Sequence, residues 1–472
     1  MTKNASETEP ADPFKPYKGR FTSHDVIPAK GRHKDELLEE LVAMAQEENA
    51  KWQTGQVSGT FYHAGDEHRA FLNKVFALFS HENTIQFDLC PSMFKMESEI
   101  IAMTASMLNA DAVKTHNPQD QVCGTVTSGG TESILMAMKA YRDWSREQKG
   151  IAAPEIIMPH TAHPAFDKSG EYFGIKIVHI PVSEPDFRVD PGAVEARINA
   201  NTVAIVGSAG NYPYGLIDPL EKLSAIALKH NVGMHVDGCL GGFIFPWLEK
   251  LGYDIPLFDF RLPGVTSMSA DTHKYGFALK GTSVVLYRSN RLRRHQYFSV
   301  PDWPGGLYAS PTAAWSRSGG LTAATWAALV YLGEEGYLNA ARSIMAVADR
   351  IKAGIEKIPA LTLIGDPTFV ISFRSEELDV FHINDFMKTR GWRFNVLQLP
   401  PALHFCVTMP QALAENVAER FLDDLNAGVD YARSKAGTVA ETTALYGLAG
   451  TLEGNQQVTE MVFGLFDHLY SV

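Results

Sequence analysis

Three short stretches of the chain carry residue types whose order and spacing could do chemistry. Lys274 stands in Ser269-Ala270-Asp271-Thr272-His273-Lys274-Tyr275-Gly276, at the end of an apolar run and directly after a histidine. Buried there with a depressed pKa, its ε-amine could form a Schiff base; an exposed lysine in a turn is the ordinary alternative. Asp237, 37 residues earlier, closes the run His235-Val236-Asp237 and is followed by Gly238-Cys239-Leu240-Gly241-Gly242. A carboxylate at the carboxyl end of a strand in an open α/β sheet faces the crevice where ligands bind. Buried, it needs a cationic partner, and a protonated pyridine nitrogen would be one. Further upstream, Thr127-Ser128-Gly129-Gly130-Thr131-Glu132-Ser133 precedes a helix expected from Ile134. Gly129 and Gly130 let the backbone approach an oxyanion, Thr131 and Ser133 offer hydroxyls, and the free N–H groups of the helix start point at the ligand. Taken alone, the stretch is equally a plain helix cap after a glycine turn. It has neither the lysine of a Walker loop nor GxGxxG spacing, which disfavours nucleoside triphosphates and NAD. A phosphate cup, a carboxylate for a pyridinium and a Schiff-base lysine are together what pyridoxal 5′-phosphate requires.

Positioning such residues takes a sheet with helices on both faces. Apolar, β-branched runs at 155–159, 175–182, 202–209, 232–237, 264–270 and 282–288 alternate with helical stretches such as 131–144 and 219–230. That alternation predicts an α/β fold with a mostly parallel sheet. Beyond residue 330, a long helical stretch at 339–358 precedes strands near 362–365, 368–374 and 405–409 and helices at 380–390 and 412–433, a smaller α+β unit. The expected division is a leader and helical segment over 1–80, packing on a partner subunit, a large cofactor domain over 81–330 and a small domain over 331–472. Within the first part, residues 33–52 read as an amphipathic packing helix with Leu37, Leu38, Leu41, Val42 and Ala45 on one face.

Composition bounds the function. The chain has 472 residues, 45% hydrophobic and 20% charged, which excludes a disordered or fibrous protein. A net charge of −12 leaves no basic field for nucleic acid or anionic lipid, so an anionic ligand needs a local pocket. Four scattered cysteines form no CxxC pair, so neither a disulfide framework nor a metal site is expected. The polar beginning of the chain lacks a secretory h-region, and no apolar run is long enough to span a bilayer. A soluble, cytoplasmic protein is the expectation, with secretion into a host left open.

The order and wording of these motifs resemble fold-type I pyridoxal-phosphate enzymes of the group II decarboxylase branch, with an aspartate-aminotransferase-like fold. Within that branch the chain resembles the sphingosine-1-phosphate lyase family. Matching stretches include WQTGQVSGTFY, TSGGTESILMAMKAYRD, AHPAFDKSGEYFGIKIVHIPV, HVDGCLGGF, SADTHKYGFALKG, ASPTAAWSRSGG and TALYGLAGT, over roughly residues 30 to 470. The resemblance implies that Lys274 holds the cofactor, Asp237 pairs with its pyridine nitrogen, and His163 stacks on the ring. It places Gly129, Gly130 and Thr131 around the cofactor phosphate, with His273 in support, and Ser208 near the phenolic oxygen or the lysine. On the substrate side it implies Tyr62 entering from the neighbouring subunit, Tyr212 (or Tyr214 if the register slips) as a second tyrosine, and Lys280 near the substrate phosphate. Gln86 stands where family members carry a phosphate-contacting histidine, and a neutral amide offers no charge-assisted bond. Leu279 replaces a usual proline. The implied reaction is retro-aldol cleavage of a phosphorylated sphingoid base by a homodimer with shared sites and, at most, transient membrane-surface contact. An amino-acid decarboxylase of the same fold is the competing reading.

Overall fold

The computed structural model describes residues 14–86, 88–443 and 452–471, so the TALYGLAGT stretch lies almost wholly outside the described residues. Helices α1 (Lys34–Trp52), α2 (Asp66–Leu78) and α3 (Pro91–Met107) come first. The large sheet then takes β1 (Cys123–Thr127), β2 (Glu155–Pro159), β3 (Lys176–Ile180), β6 (Thr202–Ser208), β7 (Gly233–Asp237), β8 (Ser267–Ala270) and β9 (Ser283–Tyr287), while β4 (Val182–Ser183) and β5 (Arg188–Val189) form a separate short pair. The linking helices are α4 (Gly130–Lys149), α5 (Ala165–Phe173), α6 (Pro191–Glu195), α7 (Leu220–His230) and α8 (Phe245–Lys250).

Spatially the order is β1-β9-β8-β7-β6-β2-β3, parallel throughout except for β9, which runs antiparallel to both neighbours. β2, β6, β7, β8 and β9 are buried at every position, as strands covered on both faces must be. One layer is α4 and α5, which bury Ile134, Met138, Tyr141 and Phe166 against the sheet. The other face packs Leu220, Leu223, Phe243 and Phe245. The sheet's parallel strands therefore end on one edge, where β1, β6, β7 and β8 deliver Thr127, Ser208, Asp237 and Ala270.

After α9 (Asn290–Arg293) and the hairpin β10 (Phe298–Trp303) and β11 (Gly306–Ser310), helix α10 (Gly319–Ile355) leads out of the sheet domain. It breaks at Gly333, whose φ of 56° and ψ of −174° are non-helical. Beyond it lie β12 (Thr362–Leu363), β13 (Val370–Arg374), α11 (Val380–Thr389), β14 (Asn395–Gln398), β15 (Pro401–Cys406), α12 (Met409–Leu413), α13 (Val417–Ser434) and α14 (Leu452–Tyr470). The small sheet, β12-β13-β15-β14, is antiparallel and rests on an aromatic cluster of Trp392, Phe394, Phe405 and Phe421.

Three expectations change. Helix α4 begins at Gly130 rather than Ile134, so the glycine stretch includes its first turn. The strand expected over 405–409 ends at Cys406 and is preceded by the unforeseen β14. Helix α1 forms as expected, but Leu38 and Leu41 are each 60% exposed and its only buried residue is Trp52. Its apolar stripe does not pack on its own chain.

Candidate active site

Asp237 ends β7 beside Ser208 on β6 and Ser269 on β8, the register bringing the three strand ends level. Its Oδ1 accepts from the Cys239 N–H at 3.0 Å and from the Ser269 hydroxyl at 3.3 Å. Both donors are neutral. Ser208 is fixed through its backbone, its N–H donating to Asp218 Oδ2 at 2.7 Å, while its hydroxyl is buried without a hydrogen-bond partner. Asp218 is buried, which pushes its carboxyl up to about 7 despite the Ser208 bond.

The turn after β8 carries Lys274. Its Nζ lies 3.0 Å from Asp271 Oδ2, with the backbone N–H of Lys274 donating to the Asp271 carbonyl. Burial alone would lower this lysine's pKa, as expected from the sequence. The Asp271 carboxylate outweighs it, with Cys239 and Asp237 adding to the pull, and the pKa is raised instead. Asp271 itself is lowered: burial opposes its ionisation, but Lys274 and His273 prevail. His273 pairs through Nδ1 with the Thr282 carbonyl. Burial lowers its pKa against the pull of Asp271.

The glycine stretch closes over this turn. Gly129 has φ of 156°, and a Cβ there would meet His273 Cε1 at 3.6 Å. A Cβ on Gly130 would stand 2.8 Å from both Asp271 oxygens and from Cys239 Sγ. Only glycine leaves this approach open. Thr131 is exposed on the first turn of α4. Ser133 is not part of the cup, because its hydroxyl is buried against Thr127 Oγ1 at 2.6 Å and Ser283 Oγ at 2.9 Å.

His163 stands two residues before α5, its Nδ1 accepting from the Ala165 N–H at 3.1 Å, with its side chain exposed on a cavity of about 280 Å³. Tyr212 lines the same cavity, half exposed, its ring edge-on to His404 with centroids 5.0 Å apart. Tyr214 lines this cavity too but is buried, its hydroxyl donating to the Leu399 carbonyl at 2.8 Å, so Tyr212 is the more exposed of the pair. Tyr62 was expected from a neighbouring subunit. It lies instead in the site of its own chain, 5.2 Å edge-on from Tyr275, with Lys280 Nζ 4.8 Å over its ring. The bridge between Val57 and Arg393 and the Gly59 N–H bond to the Cys406 carbonyl hold that segment inward. Burial, with Cys406 next, pushes the Tyr62 hydroxyl well up, so it keeps its proton. Lys280 is open to solvent along its side chain, yet crowding at its ammonium end and the like charge of Lys274 bring it down to about 8. Gln86 is exposed in a turn fastened to Ser316 by Asn83 Nδ2 at 3.2 Å. Leu279 packs with Leu72 and Ala278.

Asp271, Ser269 and Cys239 were not singled out from the sequence. An acid three residues before a buried lysine was the available signal for Asp271. Among the described residues no cluster could hold a metal ion, and no helix is long and apolar enough to cross a membrane.

The donor set fits pyridoxal 5′-phosphate. The Ser208 hydroxyl and Asp271 Oδ1 are buried without partners, the Gly129-Gly130 cradle would be filled by a Cβ, and Asp237 has only neutral hydrogen-bond partners. Fold and site together define a fold-type I pyridoxal-phosphate enzyme, and residues 20–375 match the pyridoxal-dependent decarboxylase conserved domain. The chain is similar to the sphingosine-1-phosphate lyase of Dictyostelium discoideum, 43% identical over 450 residues, covering 95% of this chain and 82% of the relative. Among solved structures it is similar to the Burkholderia pseudomallei sphingosine-1-phosphate lyase, with a TM-score of 0.89, 49% identity and coverage of 96% and 99%. A Lactobacillus brevis glutamate decarboxylase shares the fold at a TM-score of 0.74 and 21% identity, over 90% of this chain and 99% of that one. The chain belongs to the sphingosine-1-phosphate lyase family.

Proposed function

We propose that this protein cleaves sphinganine or sphingosine 1-phosphate between C2 and C3, yielding a long-chain aldehyde and phosphoethanolamine. The observation that carries this reading is Lys280, a second cation beside Lys274, with its ammonium over the Tyr62 ring. A decarboxylase has to seat one phosphate, the cofactor's; this site offers a cation for another. Approach of a phosphate dianion raises the pKa of Lys280, so the lysine meets it as an ammonium.

When bound, pyridoxal phosphate supplies an electron sink conjugated to the substrate amine. Lys274 would hold the cofactor through its amine. Asp237 would keep a proton at the pyridine nitrogen, and the unpartnered Ser208 hydroxyl would be available to a ring oxygen. His163, just before α5, would cover the ring. The reaction needs one proton removed from the C3 hydroxyl and one returned to C2. Tyr62 keeps its proton and donates to the substrate phosphate, while the amine of Lys274, once released, takes the C3 hydroxyl proton and returns one to C2. Val182, Val396, Leu397 and Leu399, which line the cavity beside His163 and Tyr212, offer an apolar seat for the start of the alkyl chain.

The same reading makes the protein a cytoplasmic homodimer built from residues 1–80, 81–330 and 331–472. The uncovered stripe of α1 and the exposed Phe298, Trp303 and Leu307 of the β10–β11 hairpin are surfaces for a second copy. Product identification by mass spectrometry tests the function. Incubation with a phosphorylated sphingoid base should give aldehyde and phosphoethanolamine. Carbon dioxide from glutamate or aromatic amino acids, without aldehyde from the lipid, would replace this reading with the decarboxylase.

A further inference from the structure

Behind Asp237 runs a buried polar chain with no part in the steps above. Its geometry follows from strand periodicity. His235 and Asp237 are two apart on β7 and share a face, as do Ser267 and Ser269 on β8, and the register sets His235 against Ser267 and Asp237 against Ser269. Helix α4 lays Tyr141 across Gly233, where a Cβ would meet the ring at 2.3 Å. The result is a continuous line of contacts. Tyr141 Oη lies 2.6 Å from Ser267 Oγ, which lies 2.7 Å from His235 Nδ1. His235 Nε2 is 3.3 Å from Ser269 Oγ, which donates at 3.3 Å to Asp237 Oδ1.

Proton counting gives the line a direction. His235 is fully buried, and burial brings its pKa down to about 4 against the pull of Asp237, so its ring is neutral with one N–H. Ser269 spends its proton on Asp237, so His235 Nε2–H donates to Ser269 and Nδ1 accepts from Ser267. Ser267 then accepts from Tyr141, whose oxygen can accept from Thr266 at 2.7 Å. The Met234 carbonyl, which Tyr141 also reaches, is already served by the Thr266 N–H.

We propose that His235 is a positioning residue for Asp237, the centre of a hydrogen-bond chain whose donors all point toward that carboxylate. Each bond polarises the next and stabilises the anion. A stabilised carboxylate is a weak base, so the shared proton stays on the cofactor's ring nitrogen. This rests on the assignment of Asp237 to that nitrogen.

Three variants separate the two ideas. His235→Leu interrupts the chain at similar volume. His235→Gln keeps an acceptor and a donor about as far apart as the ring nitrogens. Asp237→Asn tests the assignment itself. Holoenzymes reconstituted with ¹⁵N-labelled cofactor report the ring nitrogen's protonation by NMR, alongside kcat and KM. In His235→Leu the ring-nitrogen signal should move toward the unprotonated position and kcat fall about tenfold or more with KM little changed, the scale of one charge-assisted bond. His235→Gln should recover most of both. An unshifted nitrogen in fully loaded His235→Leu, with Asp237→Asn strongly impaired, would overturn the chain and leave the assignment standing. Full activity in Asp237→Asn would remove the assignment. If His235→Leu does not fold, ¹⁵N-histidine spectra of the unsubstituted protein decide: a neutral Nε2–H tautomer supports the chain, and an Nδ1–H or doubly protonated ring refutes it.

Discussion

Asp271 is the group that keeps a proton on Lys274, and replacing it with asparagine should make that lysine a better nucleophile. The two charges lie 3.0 Å apart with Asp271 buried. Coulomb's law at an effective dielectric constant of about 20 gives about 5 kcal/mol for such a pair. Lys274 keeps 23% of its side-chain surface, so solvent screens part of this. Even a third of it, about 2 kcal/mol, exceeds one pKa unit and a factor of ten in neutral amine. In Asp271→Asn burial, the largest influence, lowers the pKa against only the remaining pull of Cys239 and Asp237, so the loss of the carboxylate and burial act in one direction. The assay uses apo-protein and pyridoxal without its phosphate, so that the cup plays no part. After borohydride trapping, mass spectrometry measures labelling of Lys274 against pH. At pH 8 the variant should label at least ten times faster, with its profile displaced to lower pH. Equal or slower labelling would refute the claim that this carboxylate holds the proton.

Lys280→Met should raise KM for a phosphorylated sphingoid base about tenfold or more, the scale of a charge-assisted bond, and leave cofactor content unchanged. Because Lys280 titrates at about 8, below an ordinary lysine, kcat/KM should fall as pH rises past 8, and Lys280→Arg should remove that limb. The linked stability has a definite sign: between about pH 8 and 10.5 the unfolded chain binds more protons at this residue, so stability rises with pH across that window. Denaturant melts of Lys280→Met should lack that rise. Gly130→Ala should weaken cofactor binding at least tenfold by fluorescence titration, since its Cβ would enter a space 2.8 Å from a buried carboxylate and thiol, an overpacking that typically costs 1–3 kcal/mol. Mixed dimers of Lys274→Ala and Tyr62→Phe should show no complementation, because each site draws both residues from one chain; restored activity would place Tyr62 across the interface.

Much of this was legible in the sequence because burial on both faces forces a signature. β6 could be located from a nearly unbroken apolar run and β7 and β8 from short stretches rich in apolar and small residues, and the ends of such strands point to a ligand crevice. Lys274 and Asp237 followed from those ends. Asp271 was written in the same motif, but its effect on Lys274 depends on a 3.0 Å distance that no spacing rule supplies. Ser133 illustrates the reverse error: its hydroxyl suited an anion, but a helix starting at Gly130 turns it into the core. Tyr62 carried a role but no subunit, since one sequence cannot say which copy a segment returns to. The stripe on α1 correctly gave a helix, while periodicity is silent on whether the covering surface belongs to the same chain.

The two buried carboxylates differ in a way that bears on which one meets the cofactor ring. Asp271 already has a cation, Lys274, and shares His273 at 3.8 Å. Asp237 is served by neutral donors, Cys239 N–H and Ser269 O–H. Neutral donors make an anion tolerable in the interior but do not cancel its charge, so Asp237 gains most from a cation arriving with a ligand, and under the proposed function a protonated pyridine nitrogen would be that cation. Asp271 has no such need, and its place under Gly130 would set it against a phosphate if Lys274 and the aligned N–H groups of α4 did not offset it. The two asparagine substitutions should therefore separate. Asp237→Asn should cut the rate about 10²–10³-fold, the scale of a preorganised electrostatic group, while pyridoxal still labels Lys274 at the unsubstituted rate. Asp271→Asn should change the labelling rate first. Equal effects of both variants on labelling would mean that the carboxylates act as one coupled pair, and the division of roles between them would fall.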